Sequence, residues 1–121
     1  MLRACEVARI ADDLRAQDVK VLDLRGLTSV CDFFVIATGA SPRQMRAVVE
    51  EVNKQFKSDN WPFRQVEGSQ NDQWILADFG DLILHLFQPE ARELYDLEGL
   101  WADAGSVDWH EILGIEKDRG L

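Results

Sequence analysis

The sequence predicts an α/β (α+β) domain: a mixed five-stranded sheet with flanking helices, in the order α-β-β-α-β-β-β-α. Three observations predict it. "DFFVIATG" at 32–39 is a continuous apolar run, the pattern of a strand buried on both faces. The segment 42–58 repeats apolar residues at Met45, Val48, Val49, Val52 and Phe56, which make one stripe of an amphipathic helix. Residues 73–79 and 82–87 flank Gly80, whose tolerance of positive φ suits a tight hairpin turn. A helical crossover followed by a meander gives a mixed sheet.

The elements follow in order. Residues 2–16 space Leu2, Cys5, Ile10 and Leu14 at helical intervals. "VKVLDL" at 19–24 is a β-rich run ending at Arg25-Gly26. The helix at 42–58 has Ser41 as N-cap, Pro42 at its first position and Gln44 at capping-box spacing. "FRQVE" at 63–67 reads as the third strand, ahead of the hairpin pair. Pro89 closes the fifth strand and opens a helix, "PEARELYDLEGLW", with Leu94, Leu97 and Trp101 at near-helical spacing. This assigns residues 1–103 to a single domain and 104–121 to a C-terminal tail with one short helix around 109–113.

The length of 121 residues suits one domain with a modest core. No apolar run approaches the ~20 residues needed to span a bilayer. The N-terminus mixes acids with bases and reads as neither a signal nor a transit peptide, so cytoplasm is the expected compartment. Cys5 and Cys31 lie far apart among apolar neighbours, without metal-ligand spacing, and are expected as buried free thiols.

The net charge of −9 is concentrated. Residues 1–66 are near neutral, whereas 67–103 carry nine acids against Arg92 alone. A phosphate-binding surface needs the opposite sign, so no direct nucleic-acid binding is expected. An acidic surface instead suits a basic protein partner, or serves solubility only.

On the hairpin, Ile75, Ala77 and Phe79 share a face with Leu82, Leu84 and Leu86, and this aliphatic face is expected to be core. The other face mixes Trp74, Leu76 and Asp78 with Ile83, His85 and Phe87. Trp74 stands opposite His85 if Phe79-Gly80 is the turn centre, and opposite Phe87 if Gly80-Asp81 is. Such a face is either a protein-binding patch or a surface covered by a helix, with His85 bonded to a carboxylate.

Catalytic chemistry finds little support. Neither His85 nor His110 has a nucleophile at a recognisable spacing, and Ser41 lacks both the GxSxG context and a Walker lysine. Asp78 and Asp81 flank a turn, where Asp is favoured for turn chemistry, and two such ligands do not make a metal site. No metal and no cofactor is expected.

Two segments together carry a family resemblance. "QDVKVLDLRGLTSVCDFFVIATGASPRQ" and "VEGSQNDQWILADFGDLILHLFQPEARELYDLEGLW" resemble the two blocks of the ribosomal silencing factor RsfS (Iojap) family. The resemblance implies a nucleotidyltransferase-like fold and a non-enzymatic translation repressor. Such a protein binds the large ribosomal subunit through ribosomal protein L-fourteen, sterically blocks small-subunit joining when nutrients are scarce, and forms a homodimer when free. It puts the partner contacts on Trp74 and Phe79, whereas alternation puts Phe79 on the aliphatic face; the two agree if Phe79, as a turn residue, projects past the hairpin end. Asp78, Asp81, His85, Phe87, Arg92 and Tyr95 are further signature positions. Two other readings remain: a nucleotidyltransferase-like enzyme, against which the absence of a DxD pair after "TGASPRQ" speaks, and a homodimeric scaffold.

Overall fold

The computed structural model describes residues 1–59, the backbone of 65–67, and residues 73–115. The elements run α1 (Leu2–Asp13), β1 (Gln17–Asp23), β2 (Phe33–Thr38), α2 (Pro42–Ser58), β3 (Gln65–Glu67), β4 (Trp74–Asp78), β5 (Leu82–Phe87), α3 (Pro89–Tyr95), α4 (Leu97–Leu100), β6 (Gly105–Val107) and α5 (Trp109–Leu113). The expected α+β class and the order of its first eight elements are observed. Residues 63 and 64 of the expected third strand lie outside the described residues, as do 116–121 of the expected tail.

The five expected strands are joined by a sixth, in the order β3-β4-β5-β2-β1-β6. The β2–β5 pair is parallel and the other pairs are antiparallel, so the sheet is mixed. Strand β6 extends the sheet by pairing with β1. It has only three residues and lacks a hydrophobic alternation that sequence reading could detect.

Two cores flank this sheet. On one face Met45, Val48, Val49, Val52 and Phe56 of α2 meet Ala4, Cys5, Val7 and Ala8 of α1, over Ile75, Ala77, Leu82, Leu84 and Leu86. Trp109 of α5 joins this core and donates its indole N–H to the Val19 carbonyl at 3.3 Å. On the other face Leu22, Phe34, Ile36, Ile83 and Phe87 are covered by Ala91 and Leu97 of the short helices α3 and α4.

The α2 cap forms as its residues dictate. Ser41 Oγ accepts from the Gln44 backbone N–H, and Gln44 Oε1 accepts from the Ala40 N–H. Gln44 Nε2 also donates to the Leu14 carbonyl, tying the start of α2 to the end of α1.

The expected helix across "PEARELYDLEGLW" is two helices. Asp96 adopts the left-handed conformation (φ 43°, ψ 54°), closing α3 and capping α4 through its side chain to Gly99 N–H. A side chain at residue 99 would have to displace that capping carboxylate. The break changes the facing of the expected stripe: Leu97 is buried, Trp101 is half-buried, and Leu94 points outward at 76% exposure.

Candidate functional site

The hairpin closes with Gly80-Asp81 as its turn centre. Phe79 N–H donates to the Leu82 carbonyl at 3.0 Å, and Trp74 stands opposite Phe87 while Leu76 stands opposite His85. The Asp78 carboxylate accepts from the Gly80 N–H at 2.8 Å, which secures the turn. The Asp81 carbonyl accepts from the N–H groups of Asp32 and Phe33, docking the turn on the start of β2.

On the mixed face the aromatics form one row. Tyr95 lies 4.8 Å from Trp74 between ring centroids, and Trp74 stacks on Phe87 at 5.0 Å. Farther along, Phe34 is edge-on to His85 at 4.5 Å and to Trp101 at 5.9 Å. Trp74 is half-buried and Tyr95 is 50% exposed. Leu94 of α3 and Leu100 of α4, the latter 75% exposed, are further exposed apolar side chains.

His85 sits beneath this row at 3% exposure. Its Nδ1 accepts the Trp74 indole N–H at 3.2 Å, in place of the bond to a carboxylate that one reading of the sequence had. The indole nitrogen can only donate, so the imidazole proton resides on Nε2. Burial pushes the His85 pKa down to about 4, keeping the ring neutral.

Arg92 is a structural hub. Its guanidinium donates to the Asp18 carbonyl (2.7 Å), Thr38 Oγ1 (2.9 Å) and both Glu98 oxygens (3.0 and 3.1 Å). It thereby clamps α3 to β1, β2 and α4. Its hydrogen bonds hold the Glu98 carboxyl below its ordinary pKa, with Lys20 contributing at 3.4 Å. An open cleft of about 530 Å³ over this hub is rimmed by Asp18, Glu93, Asp96 and Glu98.

The structure therefore sorts the eight sequence-derived positions. Trp74, Asp78, Asp81 and Tyr95 keep surface, whereas His85, Phe87 and Arg92 are buried. Phe79 does not project past the hairpin end. It remains in the strand alternation, is 1% exposed, and packs edge-on against Phe56 at 4.9 Å. Leu94 and Leu100 were missed as surface residues, because only the break at Asp96 turns them outward.

Among the described residues no three His, Cys, Asp or Glu side chains converge as metal ligands. Burial, then the nearby Asp32, pushes the Cys31 thiol up to about 11, and Cys5 is also raised. Both thiols are buried and protonated, hence poor nucleophiles. Among the described residues no helix is long and apolar enough to cross a membrane.

The fold and site define a mixed-sheet α+β domain with a partly exposed aromatic corner, Trp74 against Tyr95. Residues 2–120 match the family model "Ribosomal silencing factor during starvation". The chain is 37% identical to ribosomal silencing factor RsfS of Bacillus subtilis, over 84% of this chain and 86% of that one. It is 38% identical to "Mitochondrial assembly of ribosomal large subunit protein 1" of Mus musculus, over 85% of this chain and 51% of that one. A crystal structure of a Chromobacterium violaceum protein superposes with a TM-score of 0.76 at 32% identity, covering 82% of this chain and 83% of that one. The chain belongs to the ribosomal silencing factor (RsfS) family.

Proposed function

We propose that this chain silences ribosomes by occupation rather than by chemistry. It binds the large ribosomal subunit through ribosomal protein L-fourteen, in the cytoplasm, and its bulk blocks joining of the small subunit when nutrients are scarce. The observation that carries this reading is the partly exposed Trp74–Tyr95 pair, in a segment (67–103) that carries nine acids against Arg92 alone. Exposed aromatic and aliphatic groups supply the anchors of a protein interface, and the carboxylates steer a basic partner. A steric blocker needs a stable footprint of roughly 800 Å² per partner and no reacting group.

In this reading the direct contacts are Trp74 and Tyr95, with Asp78 and Asp81 at the hairpin end. Phe79, His85, Phe87 and Arg92 shape that surface from beneath. The free chain pairs with a second copy through the same apolar corner, so the copy and the ribosomal partner compete. Co-sedimentation with purified large subunits tests the proposal: the chain pellets with them, and adding it lowers the yield of joined ribosomes from purified subunits. A chain that stays in the supernatant at micromolar concentration refutes it.

A further inference from the structure

His85 stands where an apolar side chain would serve the fold better. Its neighbours on this face are Phe34, Ile36, Ile83 and Phe87. The one hydrogen bond it makes, from Trp74, fixes the proton on Nε2, and that buried Nε2 has no partner among the described residues. A neutral hydrogen bond contributes little net, and an unpaired buried donor offsets it. The bond to Trp74 is the one polar contact the imidazole makes among the described residues. What it does bring is a fixed indole.

Trp74 is held on three sides: Phe87 stacks on it, Tyr95 leans against it, and His85 captures its only polar atom. With the N–H satisfied internally, a partner meets an apolar ring without a donor to strip of water. Such a ring, in a segment (67–103) with nine acids against one base, suits the aliphatic stem and cationic head of a lysine or arginine.

We infer that His85 is a positioning residue for partner binding: its Nδ1 holds the Trp74 indole in one orientation, presenting an apolar face to a basic side chain of the partner. This rests on the function proposed above. It predicts that binding depends on His85 only through Trp74.

A double-mutant cycle with purified large subunits tests this, alongside nuclear magnetic resonance of the indole N–H groups in the free protein. His85→Leu folds, melts no lower than wild type at neutral pH, and exchanges its Trp74 indole proton faster. It weakens large-subunit binding about tenfold, a coupling of ordinary size for two residues in contact. His85→Asn, whose side-chain oxygen falls near the Nδ1 position, restores affinity to within about threefold of wild type. In a Trp74→Phe background, His85→Leu changes affinity by less than about twofold.

Equal losses in both backgrounds overturn the inference, as does wild-type affinity of His85→Leu. A His85→Leu chain that fails to fold overturns it too, because the imidazole would then be needed by the fold. If wild type itself does not bind large subunits, the proposed function falls and this inference with it. Additive losses in a chain that does bind remove the inference alone.

Discussion

Trp74 and Phe79 leave one hairpin strand in opposite directions. Trp74 stacks on Phe87 at 5.0 Å on the mixed face, and Phe79 is edge-on to Phe56 at 4.9 Å in the core beneath α2. The bond from Phe79 N–H to the Leu82 carbonyl keeps Phe79 within the ladder, so side-chain alternation runs on to the turn. In this conformation one partner surface cannot meet both rings.

Substitution separates the two. Trp74→Ala weakens large-subunit binding by about 2 kcal/mol or more while the chain stays folded, as expected of an aromatic anchor. Phe79→Ala leaves a cavity and destabilises the fold by about 3 kcal/mol or more, with the folded fraction binding normally. Denaturant melts and co-sedimentation of both variants check this. Phe79→Ala that melts like wild type but fails to bind would return Phe79 to the interface.

His85 gives stability an acid limb. The ordinary imidazole pKa of 6.5 applies to the unfolded chain, and burial lowers it to about 4 in the fold. The unfolded state therefore binds the extra proton between those values, and stability falls as pH drops from 6.5 towards 4. The full loss from this one group approaches about 3 kcal/mol. Urea melts at pH 7 and pH 4.5 should show the difference in wild type, and it should shrink clearly in His85→Leu. An unchanged difference would assign the acid limb to other groups.

The sheet was largely legible because its signals are local. The double-faced run at 32–39, the Ser41 cap and the alternation of 73–79 with 82–87 each follow from short-range chemistry. The hairpin faces were legible too, since alternation is fixed once the strand is identified. Exposure on the mixed face was not, because it depends on how far α3 and α4 reach across the sheet. That reach is set by one left-handed residue, Asp96, which turns Leu97 inward and leaves Leu94 outside. A helical stripe read as unbroken cannot reveal this. Nor could spacing show that Arg92 bonds Asp18, 74 positions away in the chain.

Arg92 serves the fold before it serves any partner. Arg92→Met keeps the aliphatic stem but removes the bonds to Asp18, Thr38 and Glu98. It should destabilise by about 1–3 kcal/mol, the range for losing hydrogen bonds to a charged group whose carboxylate partner is partly exposed. Glu98 is lowered in the fold, so its share of stability is present above the ordinary carboxyl value of 4.5 and is lost as pH falls through its lowered one. The variant should lack most of that loss, with Lys20 retaining the remainder. Its folded fraction should bind large subunits within about twofold of wild type if the interface lies on Trp74 and Tyr95. A binding loss far beyond the unfolded fraction would instead place Arg92 in the contact.

The segment after Asp103 poses the last test. A boundary at 103, as the sequence suggests, makes 104–121 an appendage. Yet Gly105–Val107 pairs with β1, and Trp109 is 4% exposed within the α1–α2 core. Removing residues 104–121 would expose the apolar surface of α1 that α5 covers and open the β1 edge to solvent. Trp109→Ala should therefore destabilise by about 3–5 kcal/mol, the usual range for deleting a buried large aromatic. Truncation should destabilise at least as much, read as the midpoint of a thermal or urea transition. The shortened chain should also aggregate more readily, since β1 would become a longer unprotected edge. A truncated chain that melts within a few degrees of the full one, and still sediments with large subunits, would restore the boundary at 103.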